Sequence, residues 1–190
     1  MKAQHSAVSM EHGTPAAPVE LARYALGSID LDPASSAYWN AYTVQASRFF
    51  DRFTDGLRQR WAGNVWLNPP GADDKAGTDS LVREFWDKLV ESWRADHLTG
   101  AVYYGYSLEQ LQTLQSSAWS PGQCVLVVFS SRQRHLQRGP HNGPPVPGTS
   151  PTHANFAALL PTRCSGTLAR AQVARFVERG RTLGVVTRPV

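Results

Sequence analysis

A chain of 190 residues with 42% apolar and 18% charged side chains has the size and balance of one soluble α/β domain around a single real core. Its formal net charge of +4 permits a polyanionic partner without demanding one. Cys124 and Cys164 have neither CxxC spacing nor histidines at ligand distance, which argues against a structural zinc site and suits a reducing compartment.

Residues 1–11 are small and polar and are expected to form a loose, disordered tail, with residues 12–190 as one domain. Residues 1–13 lack the apolar core of a signal peptide, and no apolar run approaches the roughly 20 residues that span a bilayer. The expectation is a soluble, cytoplasmic protein with no membrane partner. Residues 16–26 fit an amphipathic helix with Val19, Leu21, Ala22 and Ala25 on its apolar side. Residues 28–33 read as a short strand stopped by Pro33. Residues 34–47 are ambiguous, helical early and extended near Val44.

Residues 64–67 are β-prone, and the strand must end at Asn68-Pro69-Pro70-Gly71, because proline cannot donate to a ladder. Residues 73–78 form a polar loop. The clearest helix runs over about 79–94, with Leu81, Val82, Phe85, Leu89 and Trp93 on one face. Residues 101–106 are strand-like, and Ser107 with Gln110 makes a capping box for a helix to about Ser116. Residues 124–129 have the near-continuous apolar character of a buried central strand. Residues 137–152 are rich in Gly and Pro and read as a long loop. A strand over 154–160, a helix capped by Thr167 and ending at Gly180, and a strand over 183–187 complete the chain. Strands alternating with helices predict an α/β sheet of mostly parallel order.

The Asn68-Pro69-Pro70 turn falls where open α/β sheets bind ligands, at a strand's carboxyl end. A stiff turn there can aim the Asn68 side-chain oxygen and the Pro69 carbonyl at one point. Two such acceptors suit an NH2 group on an aromatic ring, whose lone pair is otherwise delocalised. Holding both hydrogens favours a pyramidal nitrogen and lines it up with an electrophilic methyl. The plainer reading is a proline turn with Asn68 as turn former.

The order His12-Gly13-Thr14-Pro15, Ile29-Asp30-Leu31-Asp32-Pro33-Ala34-Ser35-Ser36, Val44-Gln45-Ala46, Asp55-Gly56-Leu57, Trp61 and Val65-Trp66-Leu67-Asn68-Pro69-Pro70 resembles the phage family of adenine-specific DNA methyltransferases over about residues 12–160. The resemblance implies a Rossmann-like class I S-adenosylmethionine-dependent methyltransferase sheet with flanking helices. It also implies S-adenosyl-L-methionine as methyl donor, DNA as partner, transfer to adenine N6, no metal, and a phage or prophage source in a bacterial cell. Asn68, Pro69 and Pro70 are then the catalytic turn. Thr14 and Pro15 lie against the methionine end of the cofactor; Thr14 as N-cap with Pro15 at the first helical position is a compatible reading. Asp32, Pro33, Ala34 and Ser35 form the cofactor loop, which here lacks glycine, and Asp55 lies near the adenosine or the target base.

Gly71 departs from the pattern, since the family commonly has there an aromatic that stacks on the extruded base. Trp66, Tyr103, Tyr104 or Tyr106 are candidate substitutes, Tyr106 first because it ends a strand. Arg132, Arg134, His135 and Arg138 cluster before the Gly/Pro loop and could track a phosphate backbone, or simply be a solvated surface. Arg170, Arg175 and Arg179 read as a solvated helix face. Two alternatives stay open: methylation of cytosine N4 or a glutamine amide by the same turn, and a non-catalytic DNA-binding homologue, which Gly71 and the glycine-free loop would suit.

Overall fold

A computed structural model describes residues 12–70, 81–148 and 153–188. Gly71, the 1–11 tail and the 73–78 loop lie outside the described residues. In chain order the helices and strands are α1 (Ala16–Leu26), β1 (Leu31–Asp32), α2 (Ala37–Trp39), β2 (Arg48–Phe49), β3 (Gly63–Leu67), α3 (Leu81–Arg94), β4 (Leu98–Gly105), α4 (Glu109–Thr113), β5 (Val125–Phe129), β6 (Leu136–Gln137), β7 (Val146–Pro147), β8 (Phe156–Pro161), α5 (Gly166–Arg181) and β9 (Gly184–Thr187). Among the described residues, seven strands make one sheet in the order β2-β1-β3-β4-β8-β5-β9, and β6 pairs with β7 apart from it.

Strand alternation divides the core between the two sheet faces. Trp66, Val102, Tyr104 and Val127 pack with Val19, Leu21 and Phe176 from α1 and α5. Val65, Leu67, Ala101 and Tyr103 pack with Val82, Phe85, Trp86 and Leu89 from α3. Leu21 and Leu89 are fully buried, and each such side chain contributes about 1.5–3 kcal/mol. The result is a mixed α/β sheet with helices on both faces, compatible with a Rossmann-like fold. No helix among the described residues is long and apolar enough to cross a membrane.

The strands β2, β1, β3 and β4 run parallel, as the alternation predicts. The expectation left room for exceptions, and two strands are such: β8 runs antiparallel to β4 and β5, and β9 antiparallel to β5. The cause is the connection after β5. Among its described residues there is no crossover α-helix, and the chain re-enters the sheet from the end at which it left.

Four local expectations also change. Residues 40–44 continue α2 as a wide π turn, so Val44 is not extended. The Asn40 side chain closes that turn by bonding Ala46 N–H and C=O at 2.8 and 3.1 Å, and β2 follows. Ser107 accepts from the Glu109 N–H at 3.1 Å, but Gln110 does not complete the box; its Oε1 accepts from the Tyr103 hydroxyl at 3.1 Å. Ser165, not Thr167, caps α5 by accepting from the Leu168 N–H at 3.3 Å. The Gly/Pro-rich stretch holds the β6–β7 pair, with Leu136 opposite Pro147.

Candidate active site

β2 follows β1 in the chain but lies on the opposite side of it from β3, so the strand order reverses between β1 and β3. A crevice opens there, outside the strands' carboxyl ends. It is a cavity of about 810 Å³, within the range of small-molecule and cofactor sites. Thr14, Asp32, Pro33, Ala34, Ser35, Asp55, Asn68, Pro69, Pro70, Trp66, Tyr106 and Arg138 all line it. Residues scattered over 14–138 of the sequence are thus brought to one place. Pro15, Arg132 and Arg134 are not part of the lining, and the two arginines are exposed.

Asn68 is the first residue beyond β3. Its Nδ2 donates to Thr14 Oγ1 at 2.8 Å. That contact sets the amide, and among the described residues nothing donates to its Oδ1. Thr14 is 4% exposed, so its hydroxyl has little competition from water. The side chain does not cap α1, as the N-cap reading had it; Pro15 stands at that position without a side-chain cap. Thr14 is placed instead by the preceding residue. Gly13 and Leu136 exchange both backbone hydrogen bonds at 2.9 Å, and a Cβ on Gly13 would collide with the Trp39 ring. Only glycine permits that approach.

Asp32, at the end of β1, is 3% exposed. Burial pushes its carboxyl up to about 7. The Ala34 N–H, donating at 3.2 Å, works in the opposite direction. The Ser35 hydroxyl lies close enough to ease the charge but makes no well-formed hydrogen bond. No cation among the described residues pairs with Asp32. The group is poised to be ionised by a positively charged ligand.

The turn after β2 supplies the next wall. Asp55 adopts φ 52°, accepts from the Leu57 N–H at 3.2 Å, and lies 3.2 Å from Arg58 Nε. A Cβ on Gly56 would strike the Pro33 carbonyl, and the buried Trp61 indole donates to the Gly56 carbonyl at 2.8 Å. Gly56 and Trp61 therefore pack this turn against the Asp32–Ser35 loop.

The aromatics separate clearly. Trp66 is fully buried and stacked on Tyr104, centroids 5.9 Å apart. Tyr103 and Tyr104 are also fully buried. None of the three has a free face. Tyr106 is partly exposed on the cavity wall, and its carbonyl is held by Asn155 Nδ2 at 2.8 Å.

Sequence reasoning missed Phe53, His12 and, as a cavity residue, His135. Phe53 is 81% exposed at the cavity rim. The Asp51 carboxylate holds its turn by accepting from the Phe53 and Thr54 N–H groups at 3.0 and 2.9 Å, and these bonds draw the Asp51 pKa down. The Asp51-Arg52-Phe53-Thr54 spacing was the available signal. His12 and His135 stand with ring centroids 5.5 Å apart; no local pattern announces that pairing. Among the described residues, no three His, Cys, Asp or Glu side chains cluster as metal ligands would.

Comparison with protein-family models, curated proteins and solved structures finds no match for this chain.

Proposed function

We propose that this chain is an S-adenosylmethionine-dependent methyltransferase acting on the N6 amine of adenine in DNA. The observation that carries the reading is the pairing of Asn68, its amide set by Thr14, with the buried Asp32, which pairs with no cation among the described residues, in one cavity at the sheet's switch point. The residues fit such a cofactor: the cavity is large enough, and a carboxyl without a counter-charge among the described residues suits a ligand that carries positive charge. When bound, the cofactor supplies an electrophilic methyl on a sulfonium.

The chain's own groups do the rest. Asp32, ionised by that positive charge, holds the donor side, and the Phe53 turn borders it at the end of β2. Asn68 Oδ1 and the Pro69 carbonyl accept the two amine hydrogens and present the nitrogen lone pair. Tyr106, at the end of β4, offers a ring face to a base drawn out of the duplex. The Arg132–Arg138 stretch meets the phosphate backbone.

Incubation with duplex DNA and the methyl donor, followed by mass spectrometry of the nucleosides, tests the reading. N6-methyladenine is expected. N4-methylcytosine would move the target base, and no methylated nucleoside would leave a DNA-binding homologue without chemistry.

A further inference from the structure

The charges around the cavity are divided. Asp32, Asp51 and Asp55 come from the ends of β1 and β2, whereas His12, His135 and Arg138 come from the N-terminal stretch and the excursion between β5 and β8. Arg52 is the exception on the acidic side, and its guanidinium sits 4.8 Å over the Phe53 ring. We propose that His12, His135 and Arg138 form a phosphate subsite on the cavity rim, which takes the phosphodiester adjoining the target nucleotide. This rests on the reading of a nucleic-acid substrate.

Three observations support it. First, the backbone segments that carry the two imidazoles are tied together. Gly13 and Leu136, the neighbours of His12 and His135, exchange hydrogen bonds at 2.9 Å in both directions, and the two rings stand 5.5 Å apart at 31°.

Second, Arg138 is held in place. Its guanidinium lies 4.2 Å over the Tyr38 ring and its Nη1 donates to Asn142 Oδ1 at 3.2 Å. Tyr38 is itself locked to the excursion: its hydroxyl accepts from the Gly139 N–H at 3.0 Å and donates to the Gly143 carbonyl at 2.7 Å. Two imidazoles and one planar guanidinium on rigid supports suit a tetrahedral oxyanion.

Third, the excursion is basic in sequence. The sequence has no Asp or Glu between Glu109 and Glu178, and Arg132 and Arg134 precede His135 in the same stretch. A phosphate backbone entering over those arginines would pass His135 and Arg138 at the cavity mouth.

The pair also has a pH signature. Burial, and then the nearby His12, hold the His135 pKa below its ordinary value. An anion between the rings reverses that bias, because it favours the charged form of both. Among the described residues, the other titratable or charged groups on the cavity wall are Asp32, Asp51, Arg52, Asp55, Tyr106 and Arg138. None of the three acids belongs to the segments that carry the histidines.

The test uses the full chain without cofactor. Imidazole proton resonances are followed against pH alone, with inorganic phosphate, with a nucleoside monophosphate, and with a short DNA duplex. Duplex should shift the His12 and His135 resonances and raise the His135 pKa. Duplex affinity should be roughly three- to fivefold tighter near pH 6 than near pH 8, the change expected over that range when binding raises one depressed imidazole pKa by about one unit. His135→Gln should flatten that dependence, and so should His12→Gln, which alters an exposed residue and spares the fold.

Unmoved histidine resonances on duplex binding would overturn the proposal, as would a pH dependence that survives both substitutions. Monophosphate binding as strong as duplex binding would also overturn it, by making the ligand a small phosphorylated molecule. The readout involves no methyl transfer. A protein that binds duplex in this way yet yields no methylated nucleoside keeps the phosphate subsite and loses the enzymatic reading.

Discussion

Replacing Asp32 by Asn should make the protein more stable at neutral and alkaline pH. In the folded chain the carboxyl titrates near 7, against an ordinary value of 3.8. Between those values the open chain gives up the proton while the folded chain keeps it, so stability falls as pH rises through the window and levels off above about 7. At roughly 1.4 kcal/mol per pH unit, the full cost of ionising the buried group is about 4 kcal/mol. That is a large share of the 5–15 kcal/mol that holds a typical domain together. Asn keeps the side-chain shape and an oxygen for the Ala34 N–H, and it cannot ionise. Urea denaturation at a series of pH values checks this. Parent and Asp32→Asn curves should converge near pH 4 and separate by a few kcal/mol near pH 8, with the variant the more stable. Parallel curves would refute the argument, since they would mean that the carboxyl ionises in the fold as easily as in water. The same variant should bind the methyl donor more weakly, and proton release on donor binding near pH 7, present in the parent, should vanish.

Asn68→Ala should abolish methyl transfer and leave donor binding intact, measured by product mass spectrometry and calorimetry; an active variant would remove Asn68 from the chemistry. Thr14→Val should lower turnover about fivefold, the worth of one hydrogen bond of about 1 kcal/mol, with little change in the Michaelis constant for DNA. Thr14→Ser should restore it, and equal activity in all three proteins would show that the Asn68 amide needs no such support. Arg132→Ala with Arg134→Ala should weaken DNA binding and reduce the slope of log affinity against log salt by about 0.9 for each lost contact. An unchanged slope would place the duplex elsewhere. Tyr106→Ala should raise the Michaelis constant for DNA and lower turnover, because stacking both binds and orients a base; unaltered kinetics would take Tyr106 off the base.

Much of the fold was legible because its elements announce themselves over a single window. The α3 face of Val82, Phe85 and Leu89 and the apolar run of β5 are patterns of period and composition, and both packed as expected. What stayed hidden depends on contacts outside the window. The π turn after α2 is closed by one asparagine side chain bonding its own backbone six residues on. The antiparallel β8 follows a connection whose described residues hold no crossover α-helix, which the strand pattern of β8 itself does not encode. The choice of Ser165 over Thr167 as cap is a matter of where the chain leaves β8. At the cavity, the positions of Asn68 and Asp32 at strand ends were readable from the prolines that stop those strands. Thr14's partner was not, since its hydroxyl meets a residue 54 positions away. The burial of Trp66 was equally unreadable, because alternation places a residue on a sheet face without saying which helix covers it.

The N-terminal stretch ties these parts together. Leu136 and Gly13 share two backbone hydrogen bonds, Gly13 adjoins Thr14, and Thr14 sets the amide of Asn68. The excursion that carries His135 and Arg138 is therefore three short links from the Asn68 side chain. A surface loop inserted between β5 and β8 would ordinarily vary without consequence for the sheet's carboxyl edge. Here its position is coupled to Asn68, a polar group of the cavity lining. Gly13 makes that coupling possible, because any larger residue would be driven off by the Trp39 ring and would carry Thr14 with it. The motif His12-Gly13-Thr14-Pro15 thus has a physical reason for its order. The histidine faces the rim, the glycine lets two segments close, the threonine aims Asn68, and the proline starts α1 in the right direction.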